Sequence, residues 1–179
     1  MKRNVIVIGG GASGMAAAIW AARTGAAVTI LEHTDRVGKK ILSTGNGRCN
    51  LTNAFMTEEC YRSEQPEFPF RVLEKFGTED TIRWFSEMGL EVKDRQGYYY
   101  PLSDQASAVL DVLRMSLKEH QVTVLCGFTP VSVKKSKNGW LVAGLEKNAD
   151  TGNEKKVQIE GDAVILAAGG KAAPNTGSD

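Results

Sequence analysis

Apolar residues follow two different rhythms along the chain. Short unbroken runs of aliphatic, largely β-branched residues occupy positions 4–8, 27–31 and 163–167. Runs this short, apolar on both faces, predict strands buried within a parallel sheet. Between the first two runs, the alanine-rich stretch 13–24 predicts a helix, ended by Gly25, where a left-handed residue is easiest to accommodate. The opening thirty-odd residues therefore read as a βαβ unit. In the second rhythm, Ala106, Val109, Leu110, Leu113 and Leu117 recur at three-and-four spacing, which predicts a helix over 103–120 with Ser103 as its cap.

Other segments fit around these. Residues 68–76 and 78–88 read as short helices, the second with Thr78 as N-cap, Glu79 and Asp80 in its first turn and Gly89 at its end. Residues 90–101 read as a hairpin around Gln96-Gly97, whose Tyr98, Tyr99 and Tyr100 either cover a core edge or line a pocket. A strand at 122–125 precedes strand-like runs at 131–135, 140–145 and 156–159, joined by Asn138-Gly139 and by residues 150–153 into an antiparallel meander. The fold class is α/β: a Rossmann-like domain with a parallel sheet, flanking helices and a three-stranded meander. The last strand runs into Ala168-Gly169-Gly170 without the crossover helix that a parallel strand calls for, so residues 1–179 are expected to be an incomplete domain from a longer protein.

Charge and cysteine usage narrow the function classes. Lys plus Arg number 22 against 21 Asp plus Glu, a net charge of +1, which speaks against a disordered tail and a nucleic-acid partner. Three cysteines without a CxxC pair, and two histidines, argue against a disulfide framework or a zinc site, and favour a reducing, cytoplasmic setting. The apolar stretch at 15–22 is far below the ~20 residues that a bilayer demands, so no membrane partner is expected. Met1-Lys2-Arg3 has the outline of a secretory leader, but Gly9, Gly10, Gly11 and Gly14 break the apolar region that a leader needs.

The glycines carry the chemistry. Gly9-Gly10-Gly11-Ala12-Ser13-Gly14 is a GxGxxG match set between a strand and a helix, and a second strand ends in Glu32. In that frame Gly9 makes the tight turn, Gly11 lets a pyrophosphate approach the backbone, and Gly14 allows close helix–strand packing. The anion then sits at a helix N-terminus, where free N–H groups and the dipole favour negative charge. Glu32 is placed to accept from both ribose hydroxyls of an adenosine and would repel a 2′-phosphate, which favours FAD or NAD over NADP at this position. Regular periodicity then vanishes from residue 33 to residue 66. Within that stretch, Gly38, Gly45 and Gly47 lie among polar and basic residues, and a long loop inside a compact domain is usually functional. It suits the wrapping of N–H groups and cations around the far half of an extended cofactor.

The stretch Gly38-Lys39-Lys40 through Thr44-Gly45-Asn46-Gly47-Arg48-Cys49-Asn50-Leu51-Thr52-Asn53 resembles the bacterial NAD(P)/FAD-dependent oxidoreductases of the aminoacetone oxidase family. Residues 163–170 resemble the second FAD motif of the wider flavoprotein group, and Pro174, Thr176, Gly177 and Ser178 fit the loop that follows it. The resemblance implies a non-covalent FAD, a substrate domain inserted beyond residue 179, and a C-terminal return completing the flavin site; the meander corresponds to the family's crossover sheet. It implies pyrophosphate contacts from Ala12, Ser13 and Gly14, with Lys39 and Lys40 neutralising it or bordering the adenosine. Arg48, Cys49 and Asn50 would run past the isoalloxazine, with Thr44, Gly45 and Gly47 also among the cofactor-binding residues. Val131 would meet the adenine through its backbone, and Ala168, Gly169 and Gly170 belong to the second FAD motif. Cys49 reads either as a redox thiol or as a small packing residue; no neighbouring cysteine is available to resolve a disulfide, which favours packing.

The function expected is an FAD-dependent oxidoreductase that moves hydride between a reduced donor, NAD(P)H being the natural choice, and a small organic acceptor. Catalytic residues and a metal site are not assigned. The alternatives are a dehydrogenase binding NAD directly in the fingerprint, a flavin-binding module without turnover, and an RNA-modification subunit; near-zero net charge weighs against the last.

Overall fold

The computed structural model describes residues 2–62, 64–65, 67–148 and 151–170. In chain order the elements are β1 (Asn4–Ile8), α1 (Ala12–Arg23), β2 (Ala27–Glu32), a 3-10 stretch (Lys39–Gly47) and β3 (Thr52–Asn53). A 3-10 turn (Glu58–Cys60) precedes α2 (Glu67–Leu73), α3 (Thr78–Glu87), β4 (Val92–Arg95), β5 (Tyr98–Pro101) and α4 (Ala106–Glu119). Five strands close the described chain: β6 (Thr123–Cys126), β7 (Phe128–Ser136), β8 (Gly139–Lys147), β9 (Glu154–Gly161) and β10 (Ala163–Leu166). They divide into two units, Met1–Lys40 with Leu113–Asp179, and Ile41–Val112.

In the first unit the apolar runs form a four-stranded parallel sheet in the order β10-β1-β2-β6. Strand side chains alternate between faces, so Val7 and its partner Ile30 lie on the side opposite Ile6 and Ile8. Both faces are covered. Met15, Ala18 and Ile19 of α1 are fully buried, while Ile6, Ile8 and Leu31 form one core with Phe128 and Val142 of the meander β7-β8-β9. Each fully buried aliphatic side chain contributes roughly 1.5–3 kcal/mol, so sheet and meander are held as one hydrophobic unit. Gly144 is required there because a Cβ would come within 2.6 Å of the Phe128 ring.

The meander is longer than its sequence pattern, and one turn is displaced. Ser136 pairs with Gly139, so Lys137 and Asn138 make the β7–β8 turn in place of Asn138-Gly139. Gly139 is a strand residue at φ 146°, where a Cβ would stand 2.4 Å from the Gly161 carbonyl oxygen. The register of β7 shifts between Pro130 and Ser132, leaving Val131 in a bulge. Proline has no N–H to give the ladder, which accounts for the break. Asp150 of the β8–β9 connection, and Pro174, Thr176, Gly177 and Ser178, lie outside the described residues.

In the second unit β3, β5 and β4 form an antiparallel sheet, and Gln96-Gly97 makes the expected turn with both φ positive, 55° and 87°. Thr78 is the first residue of α3, not its cap. Its hydroxyl donates to the Asn53 carbonyl at 2.6 Å, and the capping contact is Gly77 N–H to the Asp80 carboxylate at 3.0 Å. Likewise Ser103 lies ahead of α4, where its hydroxyl accepts from Gln105 N–H at 3.4 Å. The apolar stripe of α4 is buried as its spacing predicts.

Candidate functional site

β1 ends in a turn that glycine alone can make. Gly9 has φ 103°, and a Cβ there would stand 2.3 Å from the Ala167 carbonyl oxygen at the end of β10. A Cβ on Gly14 would lie 1.9 Å from the Gly9 carbonyl oxygen and 3.4 Å from Ala167 Cβ, so this glycine lets α1 press against the strand ends. Gly11 differs from both. It is the N-cap of α1 with φ −74° and ψ −173°, a conformation open to any residue, and no heavy atom lies within 4 Å of the position of its Cβ. No side chain caps the helix and no acidic residue occupies its first turn. The N–H groups of Ala12, Ser13 and Gly14 therefore stand at an uncapped, positively polarised helix end beside space that a side chain would fill.

Glu32 closes β2 over this turn. It is 6% exposed, and its carboxylate accepts Gly10 N–H on Oε2 at 2.7 Å and Thr34 N–H on Oε1 at 2.8 Å. His33 Nδ1 lies 3.1 Å from Oε1, and its side chain is about half exposed. Lys39 is paired with Asp35 at 2.5 Å, a hydrogen bond that draws the Asp35 carboxyl below its usual range. Behind the segment, Arg114 of α4 donates to the Val37 carbonyl at 2.9 Å. Neither Gly10 nor Arg114 is singled out by the sequence. The only signal for Gly10 is its place inside the fingerprint, and Arg114 gives none. The thiol of Cys126, register partner of Glu32, is held protonated by burial and then by the Glu32 and Asp35 charges.

The loop of the second unit is built on left-handed residues. Gly45, Asn46, Gly47 and Cys49 have φ of 54°, 57°, 83° and 61°. Thr44 Oγ1 donates to the Ile41 carbonyl at 2.6 Å, and the Thr44 carbonyl accepts Cys49 N–H at 3.1 Å. Strand β5 backs the loop: Leu51 N–H donates to the Tyr99 carbonyl at 2.9 Å, and Asn50 Nδ2 reaches the Thr52 and Tyr99 carbonyls at 3.1 and 3.2 Å. Tyr100 stands behind Gly45, with Cε1 3.6 Å from the glycine's Cβ position. Tyr99 and Tyr100 thus support the loop, and Tyr98 is half exposed. Cys49 is 7% exposed, and burial pushes its thiol up from the ordinary range. Near Arg48, Lys93 and Arg95 of β4 converge on Asp104, Arg95 at 2.7 Å. The Lys93 hydrogen bond foremost, and the Arg95 and Arg48 charges, hold the Asp104 carboxyl below its usual range. The alternate spacing of Lys93 and Arg95 places both on one strand face, a signal the sequence did offer.

Of the remaining expected residues, Val131 is 71% exposed in its bulge. Ala168, Gly169 and Gly170 follow β10, with Gly169 at φ 85°. Lys40 lies in the 3-10 stretch. Among the described residues no group of three or more His, Cys, Asp or Glu is arranged to hold a metal, and no helix is long and apolar enough to cross a membrane.

The chain is similar to known proteins. The chain is 47% identical over 175 residues to the 3-dehydro-bile acid delta(4,6)-reductase of Clostridium scindens, a match covering 97% of this chain and 40% of that protein. It is 29% identical over 176 residues to the ribosomal RNA dihydrouridine synthase of Escherichia coli, covering 98% and 41%. The chain thus spans about two fifths of the length of these relatives. The fold is shared with the 3-ketosteroid-delta4-(5alpha)-dehydrogenase of Rhodococcus jostii, at TM-score 0.61 and 15% identity over 94% of this chain and 46% of that one. The family resemblance carried by residues 38–53 and 163–170 is borne out: residues 3–179 match the HI0933-like protein Rossmann domain, and the chain belongs to that family.

Proposed function

We propose that the protein is an FAD-dependent oxidoreductase acting on a small organic acceptor. The observation that carries this is Gly11, a glycine that its own backbone and neighbours do not require, set at an uncapped helix start beside an acidic strand end. Such a cradle fits an adenine dinucleotide, because the missing side chain leaves room for a pyrophosphate against the helix amides. FAD, when bound, supplies a ring system that accepts and returns hydride.

The chain's own residues bind and orient it. Ala12, Ser13 and Gly14 offer N–H groups to the pyrophosphate; Gly9 and Gly14 fix the turn; Glu32 keeps acceptor capacity for ribose hydroxyls, since a carboxylate has about four lone-pair sites and two are used by backbone. Lys39 and Lys40 border the anion. Arg48, Cys49 and Asn50 run past the isoalloxazine, Arg48 supplying a cation, while Thr44 and Gly45, whose carbonyls hold the Cys49 and Arg48 N–H groups, and Gly47 shape the loop beside the cofactor. The Asn50 amide, already donating to two carbonyls, acts by shaping the loop. Val131 meets the adenine through backbone that its bulge frees from the ladder, and Ala168, Gly169 and Gly170 complete the cofactor's surroundings.

NAD(P)H is the proposed donor. The 47% identical relative is named for reducing a 3-dehydro-bile acid, which favours a ring-containing, largely apolar acceptor. A second reading, action on RNA, has support from the name of the 29% identical relative, but a net charge of +1 supplies little of the cationic surface that phosphate contacts need. Three free cysteines favour a reducing setting such as the cytoplasm. The test is mass identification of the cofactor released by heat from the full-length protein, followed by reduction with NADH and with NADPH. FAD release and bleaching of a yellow protein are expected; release of NAD, or of nothing after incubation with FAD, refutes the proposal.

A further inference from the structure

Gly10 is held from both sides by one segment, residues 32–38. Its N–H donates to Glu32 Oε2 at 2.7 Å, its carbonyl accepts Gly38 N–H at 2.8 Å, and Val37 Cγ1 stands 2.5 Å from where a Cβ on residue 10 would lie. The other Glu32 oxygen takes Thr34 N–H, and Arg114 secures the Val37 carbonyl from behind. A peptide unit is planar and trans, so the bond that fixes the Gly10 carbonyl also fixes the Gly11 N–H in the opposite direction. The Gly11 N–H is thereby oriented through Gly38 before any ligand arrives, Glu32 anchors the Gly9–Gly10 peptide that leads into it, and because Glu32 is buried, water is a poor substitute for its bonds.

Resting on the reading that this turn takes a dinucleotide, we infer that Glu32 is a positioning residue for the phosphate-facing turn in addition to a ribose acceptor, and that Arg114 supports it through Val37. Glutamine at position 32 has one acceptor oxygen and an NH2 group where the carboxylate has two acceptors, so one of the two backbone N–H groups loses its partner. The ribose contribution is separated from the turn contribution by removing the hydroxyls from the ligand.

The experiment titrates ADP and 2′,3′-dideoxy-ADP into the full chain freed of cofactor, wild type and Glu32→Gln, and follows amide hydrogen exchange at Gly10 without ligand. Glu32→Gln is expected to weaken ADP about a hundredfold and dideoxy-ADP about tenfold, and to speed Gly10 exchange about tenfold. Equal affinity of both proteins for dideoxy-ADP, or unchanged Gly10 exchange, overturns the inference. If Glu32→Gln does not fold, Arg114→Met decides: a loss of about three- to tenfold that is the same for both nucleotides, with partial recovery in Arg114→Lys, supports the role, and no loss for either removes it. A wild-type chain that binds no ADP, while its Gly10 amide still responds to Glu32→Gln, sinks the dinucleotide reading and leaves the turn-holding role standing.

Discussion

Residues 9–14 and residues 44–50 are both rich in glycine, yet they use it for opposite reasons. In the first segment three glycines are dictated by atoms of the chain itself, Gly9 by Ala167, Gly10 by Val37 and Glu32, and Gly14 by Gly9, Gly9 also by its φ of 103°, while Gly11 lies in open space with an ordinary backbone. In the second segment the backbone is the reason. Gly45 and Gly47 are left-handed, and so are Asn46 and Cys49, which carry a penalty of roughly 1–2 kcal/mol each relative to glycine. The first segment is shaped mainly by packing, and the second by backbone hydrogen bonds within the loop and the Asn50 side-chain bond to Tyr99 of β5. Glycine content alone does not distinguish a surface built for close approach from one built for curvature.

The sharpest way to break this contrast lies within the first segment. Gly14→Ala drives a Cβ into the Gly9 carbonyl and is expected to destabilise the protein by about 3 kcal/mol in urea unfolding. Gly11→Val is expected to destabilise the fold by no more than the roughly 1 kcal/mol that a β-branched N-cap costs, and to weaken ADP binding at least about a hundredfold, because a Cβ there meets no atom of the chain and the side chain enters the cradle. Similar stability losses in the two variants would erase the distinction between them.

The second segment is tested through Cys49. Burial raises its pKa, so the reactive thiolate forms only at pH above the ordinary thiol range. Alkylation by iodoacetamide, followed by mass spectrometry from pH 7 to pH 10, is expected to label exposed Cys60 well before Cys49. Early labelling of Cys49 would restore the redox reading. The smallest effect concerns Asp104, whose folded pKa is depressed by Lys93 and Arg95. A depressed carboxyl stabilises the fold above its unfolded pKa, and that contribution is lost as pH falls through the lower, folded value. Asp104→Asn is therefore expected to lower the urea midpoint at pH 7, with the gap to wild type closing as the solution is acidified.

The first segment was also the more legible in sequence. β1, α1 and β2 lie within a residue of their expected bounds because strand-length apolar runs and helix-ending Gly25 are local signals. Local chemistry misled where a distant partner decided the outcome. Thr78 has the right side chain for a cap but gives its hydroxyl to Asn53, and Gly139 marks the approach of Gly161 rather than the turn before it. The bulge at Val131 had a visible cause in Pro130, although its consequence for the register was not foreseen. At the site, the spacing of fingerprint and acid pointed to Glu32, but its bond to Gly10 across 22 residues is a tertiary fact that no spacing rule expresses.

The central strand of the parallel sheet has a further consequence for how the molecule comes into being. β1 is flanked by β2 on one side and by β10 on the other, and Gly9 rests on Ala167. During synthesis the glycine turn leaves the ribosome well before β10, and one edge of its strand stays unmatched until about a hundred and fifty further residues have been made. Closing so large a loop is slow. The glycine turn is thus completed long after it is made, and in the interval the bare apolar edge of β1 is a natural target for chaperones.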